Sequence, residues 1–242
     1  MKILRLTVLA SVLLLSGGSF LELAGAQAPA TRSAEILYQT DTYTPPFYRG
    51  KALPSSENLV TAVAYPDLSG TSLDPAKLHY KWMRDGEVIP GYVGTGKRLA
   101  SFTTSIASDE TLLEVEIADP AGSYRARRAM YLKDEEPKVV IYEDNAVLGV
   151  LYNRAVGKEF TLQGAEAAFL GVPFYFSADT SRDSRLRYVW SVGGKGSSGD
   201  ERLIVRTDGE SGASTIALEV SHESRYAQLG SYGFTIFFGN DR

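Results

Sequence analysis

The sequence predicts an all-β protein made of two tandem β-sandwich domains that follow a signal peptide. Three observations carry that prediction. Short motifs recur in the same order in both halves, turn residues punctuate strand-like runs every 8–12 residues or so, and helical periodicity is nearly absent.

The leader comes first. Lys2 and Arg5 precede an apolar stretch from Leu6 to Leu15, followed by Gly17-Gly18-Ser19 and Leu23-Ala24-Gly25-Ala26. A charged start, an apolar middle and a small-x-small ending define a secretory signal peptide over residues 1–26. Cleavage is expected after Ala26. The apolar stretch falls short of the roughly 20 residues a spanning helix needs, and no later stretch is longer. The mature chain is therefore expected to lack a transmembrane segment, and the protein to be extracellular, on the cell surface or periplasmic. Attachment to a cell would run through a partner or an uncleaved leader.

Composition narrows the function. The 242 residues are 44% hydrophobic, enough for globular cores, and the formal net charge is -4. No run of Lys and Arg makes a basic patch, which argues against nucleic acid. There is no cysteine, so each domain must hold together by burial alone. Thiol nucleophiles and Cys-ligated metals are excluded with it.

The repeat sets the domain boundaries. Ile36-Leu37-Tyr38 aligns with Val140-Ile141-Tyr142, Tyr48 with Tyr152 and Arg98-Leu99 with Arg202-Leu203, all at an offset of 104. Tyr80-Lys81-Trp82 aligns with Tyr188-Val189-Trp190, and Gly122-Ser123-Tyr124 with Gly230-Ser231-Tyr232, both at 108. Their common order points to a domain duplication, residues 34–133 and 138–242. The charged, proline-containing Lys133–Lys138 reads as a short, stiff linker.

In the first half, strands are expected near 35–39, 58–65, 77–84, 87–90, 97–104, 111–118 and 123–132. Leu113-Glu114-Val115-Glu116-Ile117 alternates apolar and acidic, as a strand with one buried face does. Asp85-Gly86 marks a tight hairpin. In the second half, strands fall near 139–142, 159–163, 172–178, 185–192, 201–206, 214–221 and 231–238, with Gly193-Gly194 in the hairpin position. Gln163 to Leu170 has room for one helical turn. Loops of about 4–12 residues are expected, the ordinary range for compact connections. A Tyr-x-Trp on a strand places both rings on one face, so Tyr80, Trp82, Tyr188 and Trp190 are the expected core anchors of two immunoglobulin-like sandwiches.

The Tyr-x-Trp strand, the Gly-centred hairpin and the late Thr-x-x-x-Glu-Val strand resemble bacterial immunoglobulin-like and PKD-like surface domains over most of residues 35–239. The tyrosine-rich opening Tyr43-Thr44-Pro45-Pro46-Phe47-Tyr48 is similar to that of uncharacterised exported two-domain proteins of uncultured bacteria, some of them associated with type IV pilus genes. The resemblance implies a cell-surface setting, not an activity.

Catalytic groups are sparse. The two histidines, His79 and His222, lie on or beside strands without an accompanying nucleophile, and outward-facing positions are expected for both. Asp179-Thr180-Ser181-Arg182-Asp183 gathers oxygen ligands of the kind calcium takes, but Arg182 and Arg185 stand among them and oppose a cation. No catalytic, cofactor-binding or metal-binding residue is assigned. The candidate partner contact is Tyr43, Pro45, Pro46, Phe47 and Tyr48, whose prolines stiffen an aromatic segment. Packing over a sandwich end is the competing reading. The expected function is a non-enzymatic surface or secreted protein that binds or spaces a protein or an envelope polymer. The alternative is an accessory module of an extracellular hydrolase or a carbohydrate-binding protein.

Overall fold

The computed structural model describes residues 31–239, so the expected signal peptide lies outside the described residues. The first half holds β1 (Thr31–Arg32), β2 (Ala34–Thr40), β3 (Leu59–Pro66), β4 (His79–Arg84), β5 (Glu87–Thr95), β6 (Leu99–Thr103), β7 (Glu110–Ala118) and β8 (Arg125–Lys133). A single 3-10 turn, Pro75–Lys77, precedes β4. In the second half come β9 (Lys138–Asn145), β10 (Gly149–Ala155), β11 (Glu159–Thr161), β12 (Glu166–Phe174) and β13 (Leu186–Val192). They are followed by β14 (Lys195–Gly199), β15 (Arg202–Arg206), β16 (Gly212–His222) and β17 (Arg225–Phe238).

The two halves share a central strand order. The second adds β10 at a sheet edge and places its parallel edge strand after its first strands, where the first half places it before. In the first, one sheet runs β2-β3-β6 and the other β1-β8-β7-β4-β5; in the second, β10-β9-β12-β15 faces β11-β17-β16-β13-β14. In each, a short early strand pairs in parallel with the last long strand, β1 with β8 and β11 with β17. Both are immunoglobulin-like sandwiches.

The tyrosine–tryptophan strands anchor the cores. Trp82 and Tyr80 are fully buried, Trp190 and Tyr188 nearly so. Each indole N–H donates to a carbonyl across the core, Trp82 to Lys97 at 2.9 Å and Trp190 to Asp200 at 3.1 Å. Each phenol donates to the loop before its own strand, Tyr80 to Pro75 at 2.9 Å and Tyr188 to Ser181 at 2.6 Å. The hairpins also match: Asp85 and Gly86 have φ of 54° and 83°, Gly193 and Gly194 of 57° and 80°, the doubly positive turn that suits strand twist.

The offset of 104 does not survive in the outer strands. Leu37 is exposed whereas Ile141, its partner at that offset, is fully buried. A one-residue slip exchanges the two faces of a strand. The Gly-Ser-Tyr match is a coincidence of sequence: Tyr124 precedes β8, while Tyr232 is inside β17 opposite Leu218.

Other departures have local causes. Gln163 to Leu170 makes no helical turn; from Glu166 the chain is strand, because β12 pairs with both β9 and β15 and buries Phe169 completely. The strand β14 carries only Lys, Gly and Ser, all exposed, and so shows no apolar alternation. His79 is exposed, but His222 is buried, its Nδ1 accepting from the Ser224 amide at 3.2 Å. Glu114, outward by alternation, is also buried, under Arg127 at 2.6 Å. The connection 41–58 is longer than the expected loops, and it has a specific task.

Candidate functional site

That connection is an arm laid by the first sandwich across the second. Thr42 forms an antiparallel bridge with Ser177, and the Tyr43 amide donates to the Phe176 carbonyl at 2.7 Å. Pro46, its φ fixed by the ring, occupies the second position of a turn that the Tyr48 amide closes onto the Pro45 carbonyl at 2.8 Å. The Phe47 ring then stacks on Tyr152, centroids 4.1 Å apart, and meets Tyr142 and Phe174 edge-on at 5.7 and 6.4 Å. Tyr48 meets Phe174 edge-on at 6.0 Å. Of the candidate contact residues, Pro45 is buried, Tyr43, Phe47 and Tyr48 are half-buried, and Pro46 is exposed.

The second sandwich accepts this arm because β9 and β12 are apolar on both faces. Val139, Ile141 and Phe169 point into their own core; Tyr142, Val172 and Phe174 point outward, into a separate cluster with Tyr43, Phe47, Tyr48 and Leu53. Burial there pushes the Tyr175 hydroxyl up to about 12, with the neighbouring Tyr48 hydroxyl adding to the rise. It also raises Tyr43 and Tyr142.

Polar groups complete the joint. Ser55, Asn58, Ser177 and Gln228 are fully buried. The Ser55 hydroxyl donates to the Tyr175 carbonyl at 2.8 Å, and the Gln228 amide donates to the Ser56 carbonyl at 3.0 Å. The Asn58 amide donates to Asp41 at 2.9 Å and to the Ser177 hydroxyl. Arg225 donates to Asp41 at 2.8 Å, to Ser177 at 2.6 Å and to the Glu57 carbonyl. Glu57 and Tyr175 have φ of 63° and 64°, a left-handed conformation that costs a bulky residue about 1–3 kcal/mol unless its surroundings enforce it. Here they do, since both residues are hydrogen-bonded across the joint.

The linker is pinned as well. The Asp134 amide donates to the Asp109 carbonyl and the Glu135 amide to the Pro54 carbonyl, both at 2.8 Å. It passes so close to Gly230 that a Cβ there would lie 3.1 Å from the Pro137 carbonyl. Burial, helped by Asp109, pushes the Asp134 carboxyl up to about 6.

The remaining candidates are occupied or solitary. In the 179–183 loop, Asp183 pairs with Arg185 and is held well below the usual carboxylate range, first by that hydrogen bond. Arg182 pairs with Glu201 at 2.5 Å. The arginines thus fill the places a cation would need. Among the described residues, no three histidine or acidic side chains converge on a ready-made metal cage, and no helix is long and apolar enough to cross a membrane.

What stays open is a sheet face. On the outer side of β2-β3-β6, Leu37 pairs with Val63 and Val63 with Leu99, so the three form a row across the sheet. Leu37 is 54% and Leu99 57% exposed. Tyr65 lies on the same side with the Arg98 guanidinium 5.5 Å from its ring centre, and Leu59 is exposed farther along β3. Apolar residues at outward positions of three adjacent strands are the signal that could have marked this face in the sequence.

No family model and no curated protein matches the chain. Among solved structures it is similar to the three N-terminal domains of the Highly Immunogenic Outer Capsid protein (Hoc) of bacteriophage RB49. That match has 13% identity over 86% of this chain and 59% of the other, with a TM-score of 0.47. The chain thus spans less than two thirds of that structure's length. It is also similar to fibronectin(III)-like modules of Clostridium thermocellum CbhA, at 12% identity over 85% of this chain and 97% of the other, TM-score 0.27. For the amphioxus IgVJ-C2 molecule the values are 12% identity, 76% and 97% coverage, and a TM-score of 0.26.

Proposed function

We propose that the protein is a non-catalytic, exported binding or structural protein that acts through protein–protein contacts at the cell surface or in the periplasm. The observation that carries this reading is the outward row Leu37–Val63–Leu99 with Tyr65 beside it. Single exposed apolar residues are ordinary, but a contiguous row on one face is what interaction sites present. A row of side chains on the outer face of a sheet supports contact rather than enclosure of a reacting substrate. The joint supports the same reading, because its hydrogen bonds and aromatic cluster hold the two sandwiches as one body. Export follows from the leader. A place beside type IV pili is the specific version that the resemblance adds.

A photo-crosslinking residue at position 99 in intact cells tests this. It should capture one discrete envelope protein that the same residue at exposed position 195 does not. Leu37→Ser with Leu99→Ser should abolish that capture while leaving the melting curve cooperative. Equal capture from both positions, or capture that survives the double substitution, would refute the contact face. Hydrolysis of an envelope polymer by the purified protein would refute the non-catalytic reading.

A further inference from the structure

The outer face of the first sandwich's larger sheet carries a cationic hollow. Strands β4, β7 and β8 set His79 beside Ala118 and Ala118 beside Arg125. In the next outward row they set Lys81 beside Glu116 and Glu116 beside Arg127. The hollow encloses about 370 Å³, and its lining holds three cationic side chains, Lys81, Arg125 and Arg127, with a histidine and a single acid, Glu116. Ala118 forms the floor, because its methyl group leaves His79 and Arg125 as walls about 10 Å apart, two strand spacings. Acids hold two of the cations in place: Glu116 pairs with Lys81 at 3.3 Å, and the buried Glu114 with Arg127 at 2.6 Å. Each cation keeps further N–H donors for a ligand, since an ammonium carries three and a guanidinium five. The Arg125 side chain has no ion pair and no hydrogen bond among the described residues, and both it and His79 are exposed.

We propose that this hollow binds the sulfate or carboxylate groups of an acidic polysaccharide, with Arg125 as the principal ligand and Lys81 and Arg127 completing the clamp. The planar fork of arginine matches such oxyanions two oxygens at a time. The formal net charge of the chain is -4, so the positive spot is local, and its small extent selects the kind of polyanion. Duplex nucleic acid presents a charge about every 1.7 Å and needs a long cationic track. An anionic membrane surface attracts clusters of about 4–8 Lys or Arg. Beyond Arg127 the same face of β8 presents Ala129 and then Tyr131, about 13 Å farther along and 66% exposed. A tyrosine ring offers an apolar face with a polar tip, a surface on which a sugar ring packs. A polymer of sugar rings that carries its charges at intervals meets both features at once, an oxyanion in the hollow and a ring on Tyr131. The hollow lies on the sheet opposite the Leu37–Val63–Leu99 row, so the inference does not depend on the contact face proposed there.

The test uses the full mature chain and follows the fluorescence anisotropy of labelled dextran sulfate and labelled polygalacturonate, with uncharged dextran as the blank. At least one of the two acidic polymers should bind, the first reporting a sulfate site and the second a carboxylate site, and dextran should not. Arg125→Ala should weaken that binding about tenfold or more, the size of one charge-assisted hydrogen bond. Arg128→Ala removes the same charge from the same strand, but at a position that alternation turns to its other side, and should leave binding essentially unchanged. Tyr131→Ala should weaken it as well. Should Arg125→Ala fail to melt cooperatively, His79→Ala on the opposite wall takes its place and should also weaken binding. Failure of both acidic polymers to bind would overturn the proposal, as would unchanged binding in Arg125→Ala or in Tyr131→Ala. Equal losses in Arg125→Ala and Arg128→Ala would show a response to net charge and no site. Tighter, Arg125-dependent binding of duplex DNA or of phosphatidylglycerol vesicles would overturn the polysaccharide in favour of nucleic acid or a membrane.

Discussion

Arg225 of the second sandwich donates a hydrogen bond to Asp41 of the first at 2.8 Å, and the same guanidinium also reaches the Ser177 hydroxyl and the Glu57 carbonyl. One side chain thus ties the start of the arm, its far end and the second domain's β12–β13 loop. The planar fork of arginine satisfies several acceptors at once, which a lysine ammonium on a flexible stem does less well.

Replacing Arg225 with Met should therefore leave three acceptors short of a donor and cost about 1–3 kcal/mol. Arg225→Lys should recover part of that loss. The effect is expected at the joint first, so limited proteolysis within 41–58 should accelerate before either core melts. Equal proteolysis rates in all three proteins would remove Arg225 from the joint.

The joint also changes what separate domains should do. Cut within 134–137, the second sandwich loses the arm that covers Tyr142, Val172 and Phe174. Each half retains its own core and tryptophan, so both fragments should fold. The second fragment should melt below the intact protein and bind an apolar dye, whereas the intact chain should show one calorimetric transition. Fragment melting temperatures equal to that of the whole would mean that the arm contributes no stability.

Trp82 and Trp190 should each cost about 3–5 kcal/mol on replacement by Ala, the range for emptying a large core site. Both indoles also lose a partnered N–H, so Phe at either position should recover only part of the loss. Tryptophan emission in the native protein should be blue-shifted. Emission matching free indole in water would contradict the buried placement.

These anchors were legible because a Tyr-x-Trp on a strand has only one arrangement that buries both rings. The hairpin at Asp85-Gly86 was legible for a similar reason, since few residues accept the positive φ it needs. The joint was harder to read. Its signal was the unbroken apolar run of Val139 to Tyr142 and the apolar stretch from Phe169 to Phe176, which lack the alternation of a half-exposed strand. Continuous runs mean burial on both faces. The sequence does not say which segment supplies the second cover. Ser55, Asn58, Ser177 and Gln228 left no mark at all, because buried polar residues that satisfy one another look like loop residues in sequence.

The last prediction concerns pH. His222 is buried, with its Nε2 unpartnered, and faces Arg225 on β17 together with Arg185 and Asp183 from the loop before β13. Burial is the main cause that lowers its pKa below 6.5, and the two arginines act in the same direction against the smaller pulls of the Ser177 backbone and of Asp183. The folded protein therefore holds the imidazole neutral, while the unfolded chain protonates it near 6.5. Protons bind the unfolded state preferentially just below that value, so the stability associated with His222 is complete above about pH 6.5 and falls as the solution is acidified. The limiting slope is about 1.4 kcal/mol per pH unit for one group. His222→Gln, which cannot titrate, should lose less stability than the wild type between pH 7.5 and 5.5 in denaturant melts run in chelator. Parallel pH profiles for the two proteins would show that His222 titrates alike in the folded and unfolded chains, contrary to its burial beside Arg225.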